Sequence, residues 1–186
     1  MPAFELVAMS RTDGSFAAAW FDDEACVWDD ARLSQPTPVL GEWEAPRLRL
    51  RRPEFGATAV LFNPNAYAVS QGARDELSHY AELEFLPVRI EGRGVYYLLH
   101  VTAAVELPEG SSARVAEPPS GNIVQIHSFP AAYEPSTAFF RVLQPQGSAA
   151  RRVGATVRQV YVSSIGAKAV ASVAGNYLVA RELRGA

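Results

Sequence analysis

Cys26 is the only cysteine in 186 residues, so the chain can form no internal disulfide and no cysteine-based zinc site. Its 3 histidines, His79, His100 and His127, are far apart and none falls in a His-Glu-x-x-His pattern. Apolar runs are short: the longest, Val95 to Val105, is interrupted by His100 and Thr102 and falls well below the roughly 20 residues of a membrane-spanning helix. The start, Met1-Pro2-Ala3-Phe4-Glu5, lacks the basic region of a secretory leader. A cytoplasmic protein that does not engage membranes is therefore expected. The nucleophile elbow Gly-x-Ser-x-Gly, the phosphate loop Gly-x-x-x-x-Gly-Lys-Ser/Thr and the dinucleotide fingerprint Gly-x-Gly-x-x-Gly are also missing. The expectation is a protein that is not an enzyme, with no catalytic residue, cofactor or metal site assigned.

What the chain does have is an uneven distribution of charge. The net charge is only −3. Residues 1–46, however, carry nine acids against Arg11 and Arg32, a net −7, and the remainder is +4. Asp22, Asp23, Glu24, Asp29 and Asp30 put five carboxylates into nine residues, beside Trp20, Phe21 and Trp28 and with no base between them. They lack calcium-loop spacing. As a surface loop they would only be solvated; as a partner-binding face they would offer charge for steering and tryptophan for contact area. Asp22, Asp23, Glu24, Trp28, Asp29, Asp30 and Trp43 are the candidate partner-binding residues. Cys26, lying among these acids, is a poor nucleophile because they disfavour its thiolate.

Asp13-Gly14 reads as a turn between strand-like stretches over residues 4–9 and 15–21, predicting an N-terminal hairpin. Pro36, Pro38, Pro46 and Pro53 exclude a helix around Arg47-Leu48-Arg49-Leu50-Arg51, an alternating strand with its arginines on one face. Arg47, Arg49, Arg51 and Arg52 lack interleaved aromatics in an acidic chain, so nucleic-acid binding is disfavoured and a solvated strand face is expected. After the apolar run Thr58 to Phe62, Ser70 reads as the N-cap of a helix over residues 71–80. Strands over 82–90 and 95–107 flank the turn Glu91-Gly92-Arg93-Gly94, the second arm apolar on both faces and so central. Pro87 predicts a bulge or an edge position. Residues 108–121 read as a loop, with strands following near 123–127, 137–143 and 156–162. A helix over 165–174 then precedes a stop at Gly175 and a last strand over 177–183.

Each histidine has an ordinary structural reading, His79 near a helix end and His100 and His127 on strands. Only convergence of His100, His127 and a carboxylate in one cleft would point to an enzyme. Residues 66–74 set over 160–168 at an offset of 94 match at Tyr, Ser, Gly and Ala, suggesting two similar strand-helix-strand units. The predicted fold class is α+β: a mixed, mainly antiparallel sheet carrying two short Ser-capped helices. Residues 1–57 form an acidic, Pro-rich β part and 58–186 the α+β body, together one compact domain.

The segments Asn65-Ala66-Tyr67-Ala68-Val69-Ser70, Glu84-Phe85-Leu86-Pro87-Val88, Tyr96-Tyr97-Leu98-Leu99-His100-Val101 and Val160-Tyr161-Val162-Ser163-Ser164 carry a resemblance over roughly residues 58–184. They are similar to a bacterial immunity-protein-like domain family of polymorphic toxin systems, formerly a domain of unknown function. The resemblance implies a protein that binds and neutralises a cognate toxin, and brings no functional residues with it. A structural or small-ligand-binding domain is the alternative.

Overall fold

Among the described residues the fold is built from two mixed sheets, a two-stranded ribbon and two short helices. The structure, a computed structural model, describes residues 3–8, 19–21, 33, 35–50, 59–63, 66–116, 124–130, 132–143, 159–173 and 178–183. Its strands are β1 (Phe4–Ala8), β2 (Ala19–Phe21), β3 (Arg47–Leu50), β4 (Ala59–Asn63), β5 (Ala66–Val69), β6 (Leu83–Ile90), β7 (Gly94–Val101), β8 (Ala104–Val105), β9 (Ser112–Ala116), β10 (Val124–Ser128), β11 (Phe139–Val142), β12 (Tyr161–Val162) and β13 (Leu178–Glu182), with helices α1 (Gln71–Leu77) and α2 (Ser164–Val173). One sheet runs β2-β3-β6-β7-β5-β4, another β13-β1-β12-β11-β8, and β9 and β10 form a separate ribbon. The class is α+β, as predicted, with two principal sheets in place of one.

Each helix begins at a serine. Ser70 Oγ accepts from Ala73 N at 3.3 Å, and Ser163 Oγ accepts from Gly166 N at 3.4 Å. The second cap is therefore Ser163, with Ser164 already inside the helix. This one-residue difference changes the comparison of the two units. Aligning cap on cap sets Tyr67-Ala68-Val69 over Val160-Tyr161-Val162, an offset of 93, and burial agrees: Tyr67, Val69, Val160 and Val162 all enter one core, while Ala68 and Tyr161 face away from it. Across the helices the offset becomes 95, since Leu83 and Leu178 share that core. The 94-residue echo averages the two and is out of register on both sides; the shared tyrosine is coincidental, because a one-residue slip reverses every face of a strand.

In this register the topologies coincide. The order β6-β7-β5-β4 in one sheet corresponds to β13-β1-β12-β11 in the other. In both, the strands before and after the helix are parallel and separated by one antiparallel strand. That middle strand is β7, joined to β6 by a hairpin, in the first unit, and the N-terminal β1 in the second. The two units are thus related by a circular permutation of their strands. Both helices pack into the shared core, Leu77 from α1 and Val170 from α2 being fully enclosed.

Several expectations change for the same reason. β1 is bonded to β12 and β13, and β2 to β3 in the other sheet, so among the described residues β1 and β2 do not pair with each other as a hairpin. Residues 1–57 supply strands to both sheets. The first helix ends at Leu77. The long arm after the glycine turn divides at Thr102, whose N–H and hydroxyl both donate to Glu82 O, and β8 then pairs in parallel with β11. The segment expected to be a loop contains β9. Pro87 sits opposite Tyr97 in an unbroken register with β7, so there is no bulge. Arg89 and Glu91 send their N–H groups to Pro46 and Leu48 on the β3 side. Pro87, two residues earlier, has the same orientation but lies beyond the β3 pairing at Arg47, where no N–H is required.

Glu82 ties the halves together. Its Oε1 accepts from Ala138 N at 2.8 Å and Phe139 N at 3.1 Å, at the start of β11. Glu82→Ala is expected to lower the free energy of unfolding by about 2–4 kcal/mol, since two main-chain donors lose a charged acceptor. Glu82→Gln should lose less than half of that in urea denaturation.

Candidate functional site

Of the candidate partner-binding residues, Asp22, Asp23, Glu24, Trp28, Asp29 and Asp30 lie outside the described residues, as does Cys26. Trp43 is half-buried; its Nε1 donates to Pro87 O at 2.8 Å and its ring packs on the Val39, Leu48 and Val88 cluster. The indole N–H of this residue holds the chain preceding β3 against the sheet.

The histidines do not converge. His79 is exposed, with its ring 4.0 Å from that of Tyr80. His100, on β7, is fully enclosed and its Nε2 donates to Thr37 O at 3.0 Å, so Nδ1 is the bare nitrogen and has no partner among the described residues. Glu84, its cross-strand neighbour, sits 4.0 Å away, and both carboxylate oxygens accept main-chain hydrogens, from Val39 and Leu40 at 2.8 Å each. Burial, partly offset by the Thr37 carbonyl, lowers the His100 pKa. The pair therefore acts as a clamp on the segment around residues 37–40, with each carboxylate oxygen engaged by a main-chain N–H.

His127, on β10, lies against the other sheet. Tyr161 gives its hydroxyl hydrogen to Gln159 Oε1 at 2.6 Å, so the same oxygen accepts from His127 Nδ1 at 2.7 Å. Burial pulls His127 down to about 4 and pushes the Tyr161 phenol above its ordinary range. Phe129 and Phe140 enclose the network. A further polar pair, Glu5 with Arg181, joins β1 to β13. Among the described residues no three His, Cys, Asp or Glu side chains gather as a metal site.

A surface feature that sequence reading passed over lies at the β3 end of the six-stranded sheet. β3 and β6 pair in parallel, placing Arg47 directly opposite Arg89 and Leu48 opposite Ile90. Leu48 and Ile90 are buried on one face, so the arginines project from the other, where both are exposed. The glycine turn closes the end of the groove, with positive φ at Gly92 and Gly94 that side chains rarely tolerate. Beside it Arg49 Nε meets Glu91 Oε2 at 2.8 Å, whereas neither Arg47 nor Arg89 has an acidic partner among the described residues. The groove, open to solvent, measures about 570 Å³ and is lined by Arg47, Arg89, Glu91, Gly94 and Val95 over Leu48 and Ile90. The alternating arginines were legible in the sequence. Arg89 was not, because it lies 42 residues from Arg47 and only the parallel register joins them.

No helix among the described residues is long and apolar enough to cross a membrane. No protein-family model matches the chain, and no curated protein matches it.

Proposed function

We propose that the chain is a non-catalytic immunity-type protein that binds and neutralises a cognate toxin protein in the bacterial cytoplasm. The observation that carries this reading is the charge separation along the sequence, with nine acids against two bases in residues 1–46. The resemblance over residues 58–184 supports it, as does the commitment of His100, His127 and Glu84 to scaffold partners. In mechanism, Asp22, Asp23, Glu24, Asp29 and Asp30 steer a basic toxin surface into contact, and Trp28 supplies area once the charges have brought the two together.

The test is association with the product of the neighbouring gene. Reversing Asp22, Asp23, Asp29 and Asp30 to lysine is expected to slow the on-rate at low salt by at least tenfold. An unchanged on-rate, or a neighbouring product that is harmless without this protein, sinks the reading. The Arg47–Arg89 groove favours a second reading, a small-ligand-binding domain, because opposed cations with no acidic partner among the described residues suit an anion.

A further inference from the structure

We propose that the Arg47–Arg89 groove binds the phosphate group of a small organic phosphate. Register partners on adjacent strands are separated by about 4.8 Å, and like charges set directly opposite one another are unfavourable without a counter-ion. Sequence alternation alone does not require this arrangement; it arises because β3 enters the sheet in parallel with β6. The carboxylate among the described lining residues, Glu91, is already engaged by Arg49 at 2.8 Å. What remains is two positive charges side by side, matched by one dianionic phosphate more closely than by a singly charged carboxylate. Each guanidinium presents a planar fork that fits two phosphate oxygens.

The space decides the rest of the ligand. A groove of about 570 Å³ lies within the roughly 300–1,000 Å³ usual for small-molecule sites and is larger than a phosphate ion needs. Val95 is 47% exposed on its wall, offering apolar surface to an organic body, and the glycine turn leaves the main chain of Gly94 open to close approach. Its described lining residues include none of the acids proposed to meet the toxin, and the two ideas are read by different experiments, so either can fail alone.

The experiment is titration of the isotopically labelled full-length protein with phenyl phosphate, read by the NMR shifts of the arginine Nε–H groups and the main-chain amides. Saturable shifts at Arg47, Arg89 and Gly94 are expected. Affinity should exceed that for benzoate at least tenfold and that for inorganic phosphate several-fold, and should drop at least tenfold in the double variant Arg47→Gln, Arg89→Gln. Both side chains are exposed, so the variant should keep the thermal midpoint of the parent; if it does not, the location of the shifts in the unaltered protein decides. Equal binding of benzoate, equal binding of inorganic phosphate, shifts elsewhere, or tighter binding of a short oligonucleotide or an acidic peptide each overturns the proposal.

Discussion

Gly166→Ala is expected to destabilise the protein by at least about 3 kcal/mol, whereas Gly72→Ala should leave it unchanged or more stable by up to about 1 kcal/mol. Both glycines fall in the first turn of a helix, and the sequence echo makes them equivalent. Their surroundings are not. A methyl group on Gly166 would stand 2.2 Å from Ala138 O, closer than real Cβ atoms come to any neighbour, and a tight 3.0 Å from Val162 Cβ. The obstacle is main chain and cannot rotate away. It is also occupied, because Ala138 O accepts at 2.9 Å from the N–H of Ser163, the cap of the same helix. Retreat of β11 would break that bond and pull on the Glu82 contacts to Ala138 and Phe139. At Gly72 nothing lies within 4 Å, and alanine there only restricts the unfolded chain and improves helix propensity. Urea denaturation of the two single variants reads the difference. Comparable effects at both sites would contradict the close approach of α2 to β11.

The same pair of glycines shows how far the sequence could be read. Local chemistry was legible: Ser70 as a cap, the glycine turn before β7, and arginines on one face of β3 with Leu48 buried on the other. So was the recurrence of strand, cap and helix. The register was not, because identity of small residues favours matching Gly72 with Gly166, while packing matches Gly166 with the buried Ala73 and Gly72 with the exposed Ile165. Pairing partners were less accessible still. β1 looks like half of a hairpin because Asp13-Gly14 follows it, yet it completes a unit whose other strands lie more than 130 residues away. Non-local pairing has no sequence signature comparable to a turn. The Arg47–Arg89 groove was hidden by the same limitation, since each arginine taken alone resembles ordinary surface.

Acid should destabilise the protein chiefly through two histidines held neutral by the fold. An unfolded histidine titrates near 6.5, while His127 in the folded chain titrates at about 4 and His100 is shifted the same way. For a histidine whose folded pKa is lowered, the unfolded chain takes up a proton first as the pH falls. Stability is therefore full above 6.5 and declines through the window down to about 4. For His127 the loss is about 3 kcal/mol, and His100 adds to it. The structural reason is specific at His100: Nε2 already donates to Thr37, so a second proton on Nδ1 would bury a donor that has no acceptor. At His127 the cost is that of burying charge among Phe129, Tyr161 and the sheet. His127→Asn retains a side-chain donor toward Tyr161 and removes the titration. It should weaken the protein modestly at pH 8 while flattening the decline between pH 6.5 and 4 by about 3 kcal/mol, measured as urea midpoints across that range. If the variant declines as steeply as the parent, His127 does not stay neutral in the folded chain and burial is not what sets its titration.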